Sequence, residues 1–390
     1  MTTYGVQIER GFSRRDLLLQ RTFAEFFAGI GLMRIGLERQ GWSVAFANDI
    51  DEQKYAMYRG HFGENGNHFL LDDIYNVTAD QIPPVTLATA SFPCNDLSLA
   101  GAREGLGGRH SGAFWGFTDL LEKMAHYRPP LVLLENVTGF LTSHGGLDFE
   151  SALLELNRLH YGVDTFILDA ARFVPQSRQR LFVVGTRLDM FRPQYAKEPL
   201  RFYESDSRPK ALADFIFSHP GIEWQIRDLP GLPKSNTKLA DILEELPNDA
   251  SEWWSSERAD YLLNQMSIRH RQWADTMISG LDYTYGTIFR RVRNGKSMAE
   301  LRIDAIAGCL RTPRGGSGRQ ILFRAGKGEY AARLLTPREC ARLMGADDYQ
   351  ISVSLNQALF GFGDAVCVPA VEWIAQNYLD PLIYDLAGES

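Results

Sequence analysis

Short apolar segments alternate with helix-like segments through the first half of the chain, and this alternation constrains the fold more than any other feature. The predicted strands are 22–27, 44–47, 69–71, 86–91, 131–134, 165–169 and 181–185. Stretches with helical spacing of apolar residues lie between most of them, at 32–39, 52–62, 113–127 and 149–160. Strands that alternate with helices predict an α/β fold with a doubly wound, mostly parallel sheet.

The alternation stops near residue 190, and clusters of Pro, Trp, Gly and Arg follow. A helix returns at 336–345, where Thr336 is a capping residue, Pro337 occupies the first helical position and Glu339 completes a capping box. We therefore expect a first domain at 1–190, an inserted smaller domain at 191–330, and a return to the first domain at 331–390.

Charge is distributed unevenly along the chain. The net charge is −7, but residues 255–330 carry 13 Lys and Arg against seven Asp and Glu. A basic segment on an acidic body is typical of nucleic-acid binding. A solvated, loop-rich face has the same composition, so charge alone leaves both interpretations open.

The four cysteines lie far apart and form no CxxC pair. This spacing argues against a zinc ribbon and a disulfide scaffold, so we expect no metal site and a reducing cytoplasmic location. No run of 18 apolar residues occurs, and we expect no membrane span.

Polar residues at the ends of successive strands predict a ligand site. The turn 27–31 (Phe-Ala-Gly-Ile-Gly) joins a strand to a helix, where glycines permit close approach and helix N–H groups are free. Asp49 ends the next strand and suits ribose hydroxyls, and Asp73 ends the third, where it suits an adenine amino group. Together they favour an adenosine-containing ligand.

A potential nucleophile follows the fourth strand. Cys94 alone would be read as a buried packing residue. Glu135, Arg178 and Arg180 also follow or flank strands, so all four side chains can converge on one sheet edge. A thiolate that adds to carbon 6 of cytosine activates carbon 5, a carboxyl can serve ring nitrogen 3, and an arginine can hold the ring carbonyl.

Six motifs in order resemble those of the cytosine-C5 DNA methyltransferases. They are Phe-Ala-Gly-Ile-Gly (27–31), Phe-Pro-Cys (92–94), Glu-Asn-Val (135–137), Gln-Ser-Arg-Gln-Arg (176–180), Arg-Leu-Leu-Thr-Pro-Arg-Glu (333–339) and Gly-Asp-Ala-Val-Cys-Val-Pro (363–369). The likeness covers about 22–190 and 331–375. It implies a class I methyltransferase fold with an inserted target-recognition domain.

The resemblance also implies S-adenosylmethionine as methyl donor and a flipped-out cytosine in double-stranded DNA as substrate. It implies that Cys94 attacks the base, Glu135 serves nitrogen 3, Arg180 holds the base and Arg178 supports it. The cofactor pocket that it implies is lined by Phe27, Ala28, Gly29, Ile30, Gly31, Leu32, Asp49, Ile50, Asp73, Ile74, Pro93, Phe114, Asp364, Ala365 and Val366.

Four positions depart from the family's usual pattern. Leu32 stands where another Gly is common, Glu25 where Asp is usual, and Asp364 where Asn is usual. Asn95 replaces a common Gln, although Pro-Cys-Asn also occurs in the family. None of these is a bond-making group, so the departures bear on cofactor affinity and not on the reaction.

DNA contacts are predicted in two regions. Ser98 and Arg103 belong to the loop 95–110, which the resemblance implies closes over the flipped base. In the inserted domain, the pattern at 290–293 predicts a phosphate clamp, and the glycine-rich run 311–319 suits close backbone approach to DNA. The arginines concerned are Arg290, Arg291, Arg293, Arg311, Arg314 and Arg319.

Other functions remain to be weighed against this one. An amino-methyltransferase would carry an Asp/Asn-Pro-Pro-aromatic motif, which the chain lacks. A nicotinamide oxidoreductase leaves Cys94, Glu135 and Arg180 unexplained together, and a binding module without catalysis is disfavoured because no catalytic position is missing. The nearest rival is a tRNA-modifying member of the same family. We expect a monomeric DNA enzyme, either accompanied by a separately encoded restriction endonuclease or acting as an orphan or phage methylase.

Overall fold

The structure is a computed structural model that describes residues 18–63, 68–93, 112–189, 204–293, 295–312 and 319–388. Its larger sheet has seven strands: β1 Thr22–Phe26, β2 Ser43–Asp49, β3 Phe69–Leu71, β4 Leu87–Ala90, β5 Leu131–Val137, β6 Tyr161–Asp169 and β7 Gln179–Arg187. Their spatial order is β3-β2-β1-β4-β5-β7-β6, and β7 runs antiparallel to both of its neighbours. The predicted α/β fold with a mostly parallel sheet is confirmed.

Helices cover both faces of this sheet. They are α1 Leu32–Glu38, α2 Glu52–Phe62, α3 Ala113–Lys123, α4 Leu147–Arg158 and α5 Lys210–Ser218, followed late in the chain by α8 Pro337–Leu343, α9 Leu355–Asp364, α10 Val368–Ile374 and α11 Asp380–Ala387. Successive β1 side chains enter opposite cores, because Phe23 packs with the late helices and Ala24 with the core that contains α3 and α4. Burial on both faces explains why the strands read as continuous apolar runs.

A second, antiparallel sheet forms a separate layer. It consists of β8 Thr284–Arg293, β9 Lys296–Arg302, β10 Ile321–Gly326 and β11 Glu329–Leu334, in the order β11-β10-β8-β9. Helices α6 Ser256–Asn264 and α7 Ile268–Ile278 pack against it around a core of their own.

The apolar side chains of the segment from 204 to 243 pack mainly against the cores of the large sheet. These side chains join the two large cores: Leu212, Phe215, Ile216, Ile222, Ile226, Leu239 and Ile242. Arg208 is buried and donates to both oxygens of Asp164 on β6, at 2.9 and 3.0 Å. We therefore propose that the smaller domain spans about 254–334 in place of the expected 191–330.

One late stretch, Leu355–Ala387, is long and apolar enough by length and composition to cross a membrane. However, 72% of its apolar window is buried inside the protein, and the backbone is extended at Ala365 and Cys367. It therefore serves as the packing layer formed by α9, α10 and α11.

Candidate active site

A cleft of about 700 Å³ opens at the carboxyl ends of β1, β2, β4 and β5. It is lined by the β1–α1 turn, the β2–α2 turn, Ser91 to Pro93, the end of β5, Arg180, Thr312 and the end of α9. A depression of about 390 Å³ adjoins it and shares Phe27, Ile50 and Pro93. Parallel α/β sheets bind ligands at this edge.

The β1–α1 turn has a left-handed backbone at Phe27, Gly29 and Gly31. A Cβ on Gly31 would lie 2.4 Å from the Phe62 ring, so both conformation and space require glycine there. Ala28, Ile30 and Leu32 also line the cleft, although each is buried.

Asp49 shapes this turn from the end of β2. Its carboxylate accepts the N–H of Gly29 at 2.7 Å and the N–H of Asp51 at 2.8 Å. Burial raises the pKa of Asp49, and these two hydrogen bonds oppose that shift. The carboxylate is thus largely engaged with backbone while still lining the cleft.

Ile50, Asp73 and Ile74 border the adjoining depression. The Ile50 side chain is 66% exposed, which is unusual for an isoleucine inside a concave site. Asp73 caps a short 3₁₀ turn by accepting the N–H of Tyr75 at 3.1 Å. Phe114 does not reach the cleft surface: it is 0% exposed because its ring packs on Phe92.

The lining also includes Asp364, the last residue of α9, and Ala365 and Val366, which follow it. Asp364 forms an ion pair with Lys54 of α2, with 3.0 Å between Nζ and Oδ2.

Glu135 and Arg180 form an ion pair at the end of β5, with 2.9 Å between Arg180 Nε and Glu135 Oε1. The antiparallel register sets Val137 opposite Arg180, so the two charged residues lie diagonally on one face of adjacent strands. Both line the cleft next to Pro93. Cys94 follows Pro93 in the sequence and lies outside the described residues, as do Ser98, Arg103 and Arg314.

Asn136 holds the backbone of the segment that precedes Cys94 in the sequence. Its side-chain amide donates to the carbonyl of Phe92 at 3.1 Å, and its Oδ1 accepts the N–H of Val137 at 2.8 Å. The amide therefore ties the end of β5 to the segment Ser91 to Pro93.

Arg178 does not line the cleft; it is 1% exposed and joins three segments. Its guanidinium donates to the carbonyls of Leu310 (2.7 Å), Gly363 (3.0 Å) and Ala365 (2.5 Å). Burial lowers the pKa of Arg178 to about 10, so it remains charged at neutral pH.

The arginines predicted to contact DNA are spread over several surfaces. Strand alternation puts Arg290 on the same face of β8 as the buried Ile288, and Arg291 on the other face. The side chain of Arg293 lies outside the described part of the chain. Arg291 pairs with Glu300 at 3.1 Å, and Arg319 donates to Asn356 on α9 at 2.9 Å. Arg311 is exposed, next to Thr312 in the cleft lining.

The family described as C-5 cytosine-specific DNA methylase matches residues 21–380 of the chain. The chain belongs to this family. The methylase is 28% identical over 363 residues to "Type II methyltransferase M.DsaV" of Dactylococcopsis salina, covering 92% of this chain and 86% of that protein. It is 26% identical over 357 residues to "Type II methyltransferase M.HhaI" of Haemophilus parahaemolyticus, covering 91% and 93%.

Solved structures share the methylase fold. The crystal structure of S. pombe Dnmt2 methyltransferase superposes with a TM-score of 0.59 at 18% identity, covering 93% of this chain and 98% of that one. A putative DNA modification methyltransferase encoded within an E. coli prophage gives a TM-score of 0.55 at 17% identity, covering 94% and 99%. The predicted family and enzyme class, a DNA cytosine methyltransferase, are confirmed.

The lining of the methylase cleft also includes residues to which the sequence analysis assigned no role, among them Glu25, Lys54 and Thr312. Glu25 is 2% exposed, and its Oε2 has no hydrogen-bond partner. Lys54 and Thr312 reach the cleft from α2 and from the segment after β9. Only Glu25 carried a signal, since a carboxyl inside an apolar strand is unusual. Within the described residues, no group of three or more His, Cys, Asp or Glu is arranged to hold a metal.

Proposed function

We propose that this methylase transfers a methyl group from S-adenosylmethionine to carbon 5 of a flipped-out cytosine in a specific double-stranded DNA sequence. The observation that carries the proposal is the Glu135–Arg180 ion pair, which lines the same cleft as Pro93 and the glycine turn. The base-handling groups and the ligand-binding turn thus share a single opening.

The residues of the cleft fit an adenosine-containing sulfonium ligand. The exposed Ile50 offers an apolar surface for a purine, and Asp73 borders the same depression. Acidic side chains of the lining suit a cation: Asp49, Asp51, Glu135 and Asp364. When bound, S-adenosylmethionine would supply an electrophilic methyl group.

The residues of the chain then act on the cytosine. The Cys94 thiolate adds to carbon 6, and Glu135 supplies a proton or hydrogen bond at nitrogen 3, which makes carbon 5 nucleophilic. Arg180 holds the ring carbonyl and also orients Glu135 through their ion pair. After methylation, loss of the carbon 5 proton to a base expels the thiolate and restores the aromatic ring. Asn136 positions Cys94 through the Phe92 carbonyl, and Arg178 acts as a positioning residue.

Duplex DNA is the favoured substrate over tRNA. The segment that contains the small sheet is basic, and the chain covers 86% and 93% of relatives named Type II methyltransferases. From those names we further propose a modification methylase of a restriction–modification system, acting as a cytoplasmic monomer. Protection of host DNA from a co-encoded endonuclease would support that setting.

Bisulfite sequencing of a host genome that expresses the chain tests product and target together. We expect 5-methylcytosine in one sequence context, with none in cells that express Cys94→Ser. Near-wild-type methylation by Cys94→Ser would refute the proposed nucleophile. Methylation confined to tRNA would favour the rival substrate.

A further inference from the structure

We propose that Lys54 and Asp364 form a two-charge receptor for the α-amino-acid end of the cofactor, with Lys54 binding its carboxylate and Asp364 its ammonium. This inference rests on the proposed function, because it assigns part of that ligand to residues of this chain.

The basic residues that line the cleft favour Lys54 as the anion-binding group. Two basic residues are found among its described lining residues: Arg180 is paired with Glu135, and Lys54 is paired with Asp364. Of the two, Lys54 lies beside the glycine turn, so it is the base within reach of an anionic group there. Its Cδ lies 4.0 Å from the position of a Cβ on Gly29, so its stem extends over that turn.

The acids of the lining lead to a matching conclusion. Glu25, Asp49 and Glu135 are 2, 7 and 5% exposed. Asp51 caps α2 by accepting two backbone N–H groups. The Asp364 side chain is 43% exposed, so it is the carboxylate most open to a ligand ammonium.

The ion pair itself has capacity for a second partner. Lys54 Nζ and Asp364 Oδ2 are 3.0 Å apart, while the side chains keep 25 and 43% of their exposure. An ammonium has three donors and a carboxylate about four acceptor sites, so one mutual contact leaves room for further hydrogen bonds. Burial opposes the charge on Lys54, but Asp364 and Asp49 more than compensate and raise the pKa of Lys54. Two fixed, opposite charges side by side are complementary to a zwitterion.

The position also explains a departure from the family pattern. Asn is usual where this chain has Asp364, and a lone carboxylate there would repel the anionic end of the ligand. Lys54 supplies the compensating positive charge from α2. Lys54 and Asp364 therefore act together in this proposal, although the residues are distant in sequence.

The test compares two ligands that share the adenosine end. S-adenosylhomocysteine carries the amino-acid group, whereas 5′-methylthioadenosine lacks it. Their dissociation constants are measured by calorimetry for the wild type, Lys54→Met, Asp364→Asn and the control Lys210→Met. Lys210 forms a comparable ion pair with Asp214 at 2.9 Å, outside the cleft lining.

Loss of one charged hydrogen bond weakens binding by about tenfold. We expect Lys54→Met and Asp364→Asn each to weaken S-adenosylhomocysteine binding by about that factor while leaving 5′-methylthioadenosine nearly unchanged. Lys210→Met should alter neither. Equal weakening of both ligands by Lys54→Met, or no weakening, would overturn the inference and leave the pair a structural link between α2 and α9.

Misfolding of Lys54→Met and failure of the proposed cofactor can each be distinguished from failure of the inference. If Lys54→Met binds neither ligand because it misfolds, the double variant Lys54→Asp with Asp364→Lys restores an ion pair between the two positions. If this double variant still binds S-adenosylhomocysteine more tightly than 5′-methylthioadenosine by the wild-type factor, the proposed receptor is overturned. If that preference for S-adenosylhomocysteine is lost, the receptor is supported. A wild-type chain that binds neither S-adenosylmethionine nor S-adenosylhomocysteine refutes the proposed cofactor itself.

Discussion

Replacing Arg178 with leucine should disconnect the segment after β9 from the cofactor side of the cleft. The guanidinium is 1% exposed and donates to three carbonyls, those of Leu310, Gly363 and Ala365. A buried acceptor left without its donor costs about 1–3 kcal/mol. Three such losses, which are not fully additive, predict a destabilisation of roughly 3–5 kcal/mol. This is a large share of the total stability of about 5–15 kcal/mol.

The assay is urea unfolding followed by near-ultraviolet circular dichroism, combined with S-adenosylhomocysteine binding. Arg178→Lys should be intermediate, because an ammonium retains the charge but lacks the planar fork that reaches all three carbonyls. Arg271→Leu is the control: Arg271 pairs with Asp275 on the surface of α7, and such pairs contribute about 0–1 kcal/mol. An Arg178→Leu variant within about 1 kcal/mol of wild type would refute the proposed positioning role.

Three other perturbations test separate parts of the site. Burial raises the pKa of Glu25 from 4.5 to about 8. The folded state therefore binds the proton more tightly than the unfolded state does. As the pH rises between those two values, the free energy of unfolding falls by up to about 1.4 kcal/mol per pH unit. Glu25→Gln should flatten this decline in denaturation curves from pH 5 to 8, and parallel curves would contradict it. Asn136→Ala removes the contact with the Phe92 carbonyl, so we expect kcat to fall about tenfold or more while S-adenosylhomocysteine affinity is retained; an unchanged kcat would count against its positioning role. Arg291→Gln should reduce the slope of log Kd against log salt for DNA by about one, and an unaltered slope would move the phosphate contact to another surface.

The sequence indicated which residues line one edge of the sheet, because they lie near strand ends. Asp49 ends β2, Glu135 lies two residues before the end of β5, and Arg180 is the second residue of β7. Parallel order brings the ends of β2 and β5 to one edge, and antiparallel pairing of β5 with β7 brings Arg180 there. The capping box of Thr336 and Glu339 is present for a similar reason, since a local hydrogen bond depends only on neighbouring residues.

Contacts between distant segments were not predictable in the same way. The segment 204–243 contains apolar side chains that could pack on either core, so the sequence alone does not show which core it joins. The sequence suggests that Arg178 supports Arg180 in catalysis, but the acceptors of Arg178 are backbone carbonyls. Because every residue has a backbone carbonyl, the sequence does not indicate which ones an arginine will contact. Nor does any spacing rule link Lys54 to Asp364, because only the folded cleft brings α2 and α9 together.

The central claim is that Cys94 bonds transiently to a cytosine held by Glu135 and Arg180. Duplex DNA that contains 5-fluorocytosine tests it most directly, because fluorine replaces the proton whose loss would release the enzyme. With S-adenosylmethionine present, we predict a denaturation-resistant complex of protein and DNA, with mass spectrometry locating the bond at Cys94. A chain that methylates cytosine in DNA yet forms no such complex, or forms it equally well as Cys94→Ser, would contradict the account.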